Sequence, residues 1–303
     1  MDDRIANIAV KLLSEHKRYE QTANTISLFL CGGSTEKDKE LRKAIRKKVT
    51  SLTSKYSYKV YFPEDMFIDL ILGHQKNDLL SLENLLATSV SVVVLLLNSP
   101  GTITELGAFV NYKSLQDKLV VVINPQYKHD RSFINLGPIR YLQDNTNSRV
   151  IWSSLVISNS DVLSKHIVED ARLIVKSVSS TTGLENPIWS YDYILSLIYI
   201  LEPITKVDLL NLLKVVCNNN EIWHTCEQAA NAVLSSLVSE RKVSVDADIY
   251  STTKKGNINL ISLDATKKRI KDRTYFLSQL RLEALNIIFR KRLATKWGKQ
   301  LAA

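Results

Sequence analysis

Four short apolar runs, Ile26 to Leu30, Tyr58 to Phe62, Val90 to Leu97 and Leu119 to Ile123, recur along the first half of the chain. Stretches with helical spacing lie between them, such as Glu36 to Leu52 and Leu79 to Thr88. Strand and helix alternating at this interval predict βαβ units around a parallel sheet. A fifth strand is predicted near Arg149 to Trp152, followed by a helix from about Asp161 to Val178. The first twenty residues put Ile5, Ile8, Ala9, Leu12 and Leu13 on one face, which predicts an amphipathic lead-in helix. Ser177 to Gly183 is small, polar and rich in Ser and Thr, and reads as a linker.

Beyond the linker the pattern turns helical. Trp189 to Leu201, Lys206 to Val216 and Thr225 to Glu240 each carry apolar residues at helical spacing. Two short strands follow, Lys242 to Val245 and Asp248 to Ser251, then Thr252-Thr253-Lys254-Lys255-Gly256, read as a turn. Three helices and a basic hairpin are the order of a winged helix. A last long helix, Asp264 to about Leu293, aligns Leu277, Leu280, Ala284 and Ile288. The expected fold is a parallel-sheet, Rossmann-like α/β domain over 1–178, lead-in helix included, and a helical winged-helix domain over 184–303.

Charge sharpens this division. The chain carries +9, and residues 240–303 hold 15 Lys and Arg against 6 acidic residues, so the C-terminal fifth alone accounts for the excess. An anionic polymer, if bound, belongs there. The longest apolar run is too short to span a bilayer and no signal core opens the chain, so a cytoplasmic protein that avoids membranes is expected. Cys31, Cys217 and Cys226 cannot all pair and lack metal-ligand spacing, so reduced thiols and no metal are expected.

Ligands of open α/β folds bind where loops leave the carboxyl ends of parallel strands. Three such loops carry chemistry. Cys31-Gly32-Gly33-Ser34 offers two glycines whose freedom to take positive φ would let backbone N–H groups approach a phosphate. Phe62-Pro63-Glu64-Asp65 places carboxylates where sugar hydroxyls are read, Asp65 foremost. Ser99-Pro100-Gly101-Thr102-Ile103-Thr104-Glu105 follows the longest apolar run, with Gly101 and Thr102 in a tight turn and Glu105 on the first helical turn. An ionised carboxylate at a sugar C1′ serves as nucleophile or stabilises an oxocarbenium ion. A plain capping box, with Thr102 as N-cap and Glu105 at the third helical position, explains the same residues.

Gly101-Thr102-x-x-Glu105 resembles the signature of nucleoside 2-deoxyribosyltransferases and related nucleotide N-glycosidases. Taken with Phe29-Leu30-Cys31-Gly32-Gly33, Pro63-Glu64-Asp65, Leu80-Ser81-Leu82-Glu83-Asn84, Thr104-Glu105-Leu106-Gly107-Ala108-Phe109, Arg131-Ser132-Phe133-Ile134-Asn135 and Leu280-Arg281-Leu282-Glu283, it resembles the effector proteins of bacterial retrons over nearly the whole chain. The resemblance implies a deoxyribosyltransferase-like domain followed by a winged helix. It matches Glu105 with the catalytic glutamate, Glu83, beside Asn84, with an acidic residue that holds the nucleoside, and Asn135 with an asparagine of the sugar pocket. Cys31, Gly32, Gly33, Asp65, Ser99, Gly101 and Thr102 complete the expected substrate-binding set.

Ser99 departs from the pattern. Deoxyribosyltransferases carry at this place, six residues before the glutamate, an aspartate that handles protons on the base. Nicotinamide leaves a cationic ribosyl bond as a neutral molecule and needs no such proton. The expected activity is therefore hydrolysis of the nicotinamide N-glycosidic bond of NAD, with NAD as substrate and no cofactor. The resemblance implies a toxic anti-phage effector controlled by a reverse transcriptase and its branched single-stranded DNA, in a homo-oligomer or larger assembly. A glycosidase or deoxyribosyltransferase acting on free nucleosides or nucleotides is the alternative. A DNA-binding regulator whose α/β domain only senses a nucleotide is a third reading.

The third helix of the winged-helix pattern carries Glu227, Gln228, Asn231 and Ser235 but no Lys or Arg, which argues against base reading in the major groove. Arg241, Lys242, Lys254 and Lys255 near the hairpin, and Lys267, Lys268 and Arg269 at the last helix, are the expected phosphate contacts. A solvated basic face is the bland alternative.

Overall fold

The structure, a computed structural model, describes residues 2–52, 55–63, 87–178, 182–262 and 267–301. It divides into two compact units: Thr22–Thr181, and Met1–Gln21 together with Thr182–Ala303.

The first unit is a parallel five-stranded sheet of β1 (Thr25–Cys31), β2 (Ser57–Tyr61), β3 (Val92–Leu96), β4 (Leu119–Ile123) and β5 (Arg149–Trp152), in the order β2-β1-β3-β4-β5. The continuous apolar runs became the inner strands. VVVLL of β3 and LVVVI of β4 are buried at every position, as strands covered on both faces must be. The edge strand β2 alternates exposed and buried residues. Helices α2 (Glu36–Ser51) and α5 (Ser160–Ser177) cover one face, where Leu41, Ile45, Val49, Leu163, Ile167 and Ala171 join a core with Leu28, Val60, Val94 and Val120. Helix α3 (Pro100–Asn111) follows β3 and buries Leu106 and Phe109, and α4 (Arg140–Asn145) precedes β5. The expected helix at Leu79 to Thr88 lies almost wholly outside the described residues.

The second unit contains α6 (Pro187–Leu201), β6 (Ile204–Thr205), α7 (Lys206–Cys217), α8 (Trp223–Ser239), β7 (Val243–Asp246), β8 (Ile249–Thr252), α9 (Lys254–Ser262) and α10 (Lys267–Leu301). The three strands pair antiparallel in the order β6-β8-β7, which with α6, α7 and α8 is the winged-helix arrangement. The hairpin turns on Ala247 and Asp248, both at positive φ (45° and 67°), the geometry of a two-residue turn that follows the twist of its strands. This places the strands one residue later than expected. The Lys-Lys-Gly segment opens α9 instead of forming a turn. Gly256 is needed there because a Cβ would come within 2.2 Å of the Lys242 carbonyl oxygen.

The lead-in helix α1 (Asp3–Ala23) corrects the expected domain division. Its stripe of Ile8, Ala9 and Leu12 packs into the second unit's core with Tyr193, Leu197, Leu277, Leu280 and Ala284. The buried Tyr193 hydroxyl donates to the Ala9 carbonyl at 3.0 Å, and Lys11 pairs with Glu283 at 3.0 Å. Periodicity announces an apolar stripe but carries no information on which core receives it.

Candidate active site and nucleic-acid interface

Because all five strands run parallel, the loops after β1, β3 and β4 leave one edge of the sheet. The chain passes from β1 to β2 on one side and on to β3 on the other, so the β1 and β3 loops part at a topological switch point, where open α/β sheets hold ligands. Gly32 and Gly33 stand on one side of this crevice, and Asn98, Ser99 and α3 on the other.

Neither glycine takes positive φ, so the backbone conformation expected of them is not the one adopted. Both are closely approached by side chains that a Cβ would have to displace. A Cβ on Gly33 would lie 2.3 Å from Asp38 Oδ2, and one on Gly32 would lie 2.9 Å from Arg42 Cδ. The Gly33 N–H is not turned toward a ligand, since it donates to Asn98 Oδ1 at 2.8 Å. Asn98 Nδ2 in turn donates to Asp38 Oδ1 at 2.7 Å, and Asp38 Oδ2 accepts from the Thr35 hydroxyl at 2.6 Å. Arg42, 3% exposed, donates to the Gly33 carbonyl at 3.3 Å and lies over the Phe62 ring. Asn98, Asp38 and Arg42 were not legible as site residues, because their partners are up to 65 residues away in sequence. Cys31 is fully buried at the end of β1.

The helix start also differs from the expected cap. Ser99 is the N-cap: its hydroxyl accepts from the Thr102 N–H at 3.3 Å, while the Thr102 hydroxyl accepts from the Ser99 N–H at 3.2 Å and donates to the Ser99 carbonyl at 2.8 Å. Thr102 is thus 1% exposed and occupied within the cap. Glu105 is the sixth residue of α3, in its second turn, so the capping box does not account for it. It is half-buried, with Oε2 shut off from solvent. Gly101, at the second helical position, is exposed, and a Cβ there would meet only the Ser99 hydroxyl, at 3.8 Å.

Asn135, in the loop after β4, opens a short π-helical turn, Asn135–Ile139. Its Nδ2 donates to the carbonyls of Tyr127 at 2.6 Å and Asp130 at 2.9 Å, which fixes the amide's orientation. Its Oδ1 is then a buried acceptor that meets no donor among the described residues. Such an oxygen suits a ligand hydroxyl. Glu64, Asp65, Glu83 and Asn84 lie outside the described residues. Among the described residues no group of three or more His, Cys, Asp or Glu could hold a metal ion, and no helix is long and apolar enough to cross a membrane.

The basic residues of the second unit do not form one free stripe. Lys242 pairs with Glu240 at 2.6 Å and donates to the Tyr191 hydroxyl at 3.0 Å, and Lys255 donates to the Glu240 carbonyl at 2.8 Å at the end of α8. Arg241 and Lys254 are exposed. The hairpin expected to be basic has an acidic tip, Asp246 and Asp248. Helix α8 is buried along Ala229, Ala230, Val233 and Leu237, with Gln228, Asn231 and Ser235 only half-exposed. Positive charge therefore concentrates on α10, which begins with Lys267, Lys268 and Arg269.

A doubly wound α/β unit with a carboxylate-bearing helix at its switch-point edge, followed by a winged-helix unit, is the class of protein that this fold and site define. The chain belongs to the retron effector family described as "STM3845 retron effector protein", whose model matches residues 38–245. It is 29% identical over 286 residues to an Escherichia coli protein named retron Ec86 putative ribosyltransferase/DNA-binding protein, covering 90% of this chain and 89% of that relative. It is also 32% identical over 117 residues to the E. coli retron Ec73 putative ribosyltransferase/DNA-binding protein, covering 37% of this chain and 36% of the relative.

Proposed function

We propose that this retron effector hydrolyses the N-glycosidic bond of NAD, releasing nicotinamide, with Glu105 as nucleophile or oxocarbenium stabiliser. The observation that carries the reading is the division of labour at the start of α3. Ser99 and Thr102 hold the cap between them, which leaves Glu105, half-buried in the second turn of the helix that leaves the sheet at its switch-point edge, outside the capping box. A serine engaged in a helix cap is a poor proton donor, so a leaving group that departs neutral without protonation fits best. Nicotinamide is such a group, whereas a purine or pyrimidine anion is not. The buried Asn135 Oδ1 would accept from a ribose hydroxyl. The relatives' names, putative ribosyltransferase/DNA-binding protein, agree with chemistry at a ribosyl carbon in a protein that also meets DNA.

The partners in this reading are a reverse transcriptase and its branched single-stranded DNA, whose phosphates would meet α10, Arg241 and Lys254. Activation or release by that complex would make the effector toxic to a phage-infected cell, and a homo-oligomer or larger assembly would be the working form. Incubating the effector, alone and with its reverse transcriptase and DNA, with NAD and separately with deoxyribonucleosides tests the substrate. Nicotinamide release with deoxyribonucleosides intact is expected. Cleavage of deoxyribonucleosides with NAD intact would overturn the NAD assignment and favour the free-metabolite glycosidase.

A further inference from the structure

The winged-helix unit contains a pair of thiols that the proposed chemistry does not use. Cys217 is the last residue of α7 and Cys226 the fourth of α8, and Asn218, at a φ of 49°, turns the chain between them. Their sulfur atoms lie 3.4 Å apart. A disulfide requires about 2.05 Å, a gap of the size that side-chain rotation closes. Cys226 is 2% exposed, while Cys217 is half-exposed at the helix end.

We infer that Cys217 and Cys226 form an oxidisable dithiol that closes to an intramolecular disulfide under peroxide, tying α7 to α8 across the helix-turn-helix corner. Exposure sets the order of events. The Cys217 thiolate attacks one oxygen of hydrogen peroxide; the S–O bond forms, the O–O bond breaks, and hydroxide leaves, giving a sulfenic acid. Cys226 then attacks the Cys217 sulfur, the S–S bond forms, and the hydroxyl departs with the Cys226 proton as water. In total two thiols and one peroxide give one disulfide and two waters. Burial pushes the Cys226 thiol up to about 12, so it does not compete for peroxide and acts as the resolving group. The ring closed spans only residues 217–226, so the disulfide would stiffen the corner and leave the rest of the unit in place. The inference is independent of the chemistry at Glu105.

The test uses the full chain treated with hydrogen peroxide at low stoichiometry. No Lys or Arg lies between Lys214 and Arg241, so trypsin places both thiols in one peptide, 215–241. That peptide is expected to lose two hydrogen atoms, reversibly with dithiothreitol, while Cys31, fully buried in the other unit, stays reduced. The Cys226→Ser protein should instead accumulate a Cys217 sulfenic acid that dimedone traps, and Cys217→Ser should leave Cys226 unmodified. Sulfinic acid at Cys217 of the wild type, disulfide-linked dimers, or a peptide that stays reduced while a small-molecule dithiol is oxidised would each overturn the inference.

Discussion

At the scale of single residues the crevice is held by contacts that leave little slack. Gly33→Ala would force its Cβ onto Asp38 Oδ2 and against Asn98 Oδ1, breaking the bridge between the β1 and β3 loops. A loss of roughly 1–3 kcal/mol is expected in urea unfolding. Asn98→Ala deprives the buried Gly33 N–H of its acceptor and should cost about as much. Lys118, 6% exposed, donates to the carbonyls of Thr88 at 2.7 Å and Val90 at 3.0 Å, and burial lowers it from 10.5 to about 8. Because the folded chain sheds this proton first, the unfolded chain binds more protons between those values, and the Lys118 contribution to stability rises with pH across that window. Its ceiling is about 3 kcal/mol, reduced by the two carbonyl bonds that favour the charged form. Lys118→Met should lack this rise when urea midpoints at pH 7.5 and 10 are compared with those of the wild type.

The strand-turn-helix segment that carries Glu105 was legible because a buried strand, a Pro-Gly pair and a helix leave few options for the edge it occupies, but Glu105 falls in the second helical turn and not the first. The identity of the cap was not. Both Ser99 and Thr102 are good caps, and only backbone geometry separates them. Asn98 was silent in the sequence because its role exists only once strands distant in sequence lie side by side.

Among elements, α1 and α10 show how much pattern leaves open. Both were visible as amphipathic helices, yet their meeting in one core was not, since hydrophobic stripes carry no address. Leu12→Ala is expected to destabilise the second unit by about 2–5 kcal/mol, seen as a thermal transition lowered in that unit while the α/β unit's transition stays. Arg281, part of the Leu280-Arg281-Leu282-Glu283 block, binds the Tyr199 carbonyl, stacks over the Tyr199 ring and pairs with Glu202 at 2.6 Å. Glu202 Oε2 in turn accepts from the Thr252 backbone and hydroxyl. The block is thus a structural tie from α10 to α6 and the wing. Arg281→Ala should cost about 1–3 kcal/mol, the pair being only partly shielded from water.

For the whole molecule, charge and chemistry fall on different units: the glutamate edge on the parallel sheet, the excess of cations on the C-terminal fifth. The internal pairing of Lys242 and the acidic hairpin tip leave Arg241, Lys254 and the cations of α10 as the candidate phosphate contacts. Replacing Lys267, Lys268 and Arg269 with Gln should weaken binding to single-stranded DNA and reduce the slope of log affinity against log salt by up to about 2, as fluorescence anisotropy would measure. The central claim is that Glu105 serves the glycosidic carbon, and nicotinamide release by Glu105→Gln against wild type, both in complex with the reverse transcriptase and its DNA, tests it most directly. A fall on the order of 10²-fold or more is predicted with the thermal midpoint unchanged. Release at the wild-type rate by the folded variant would contradict it.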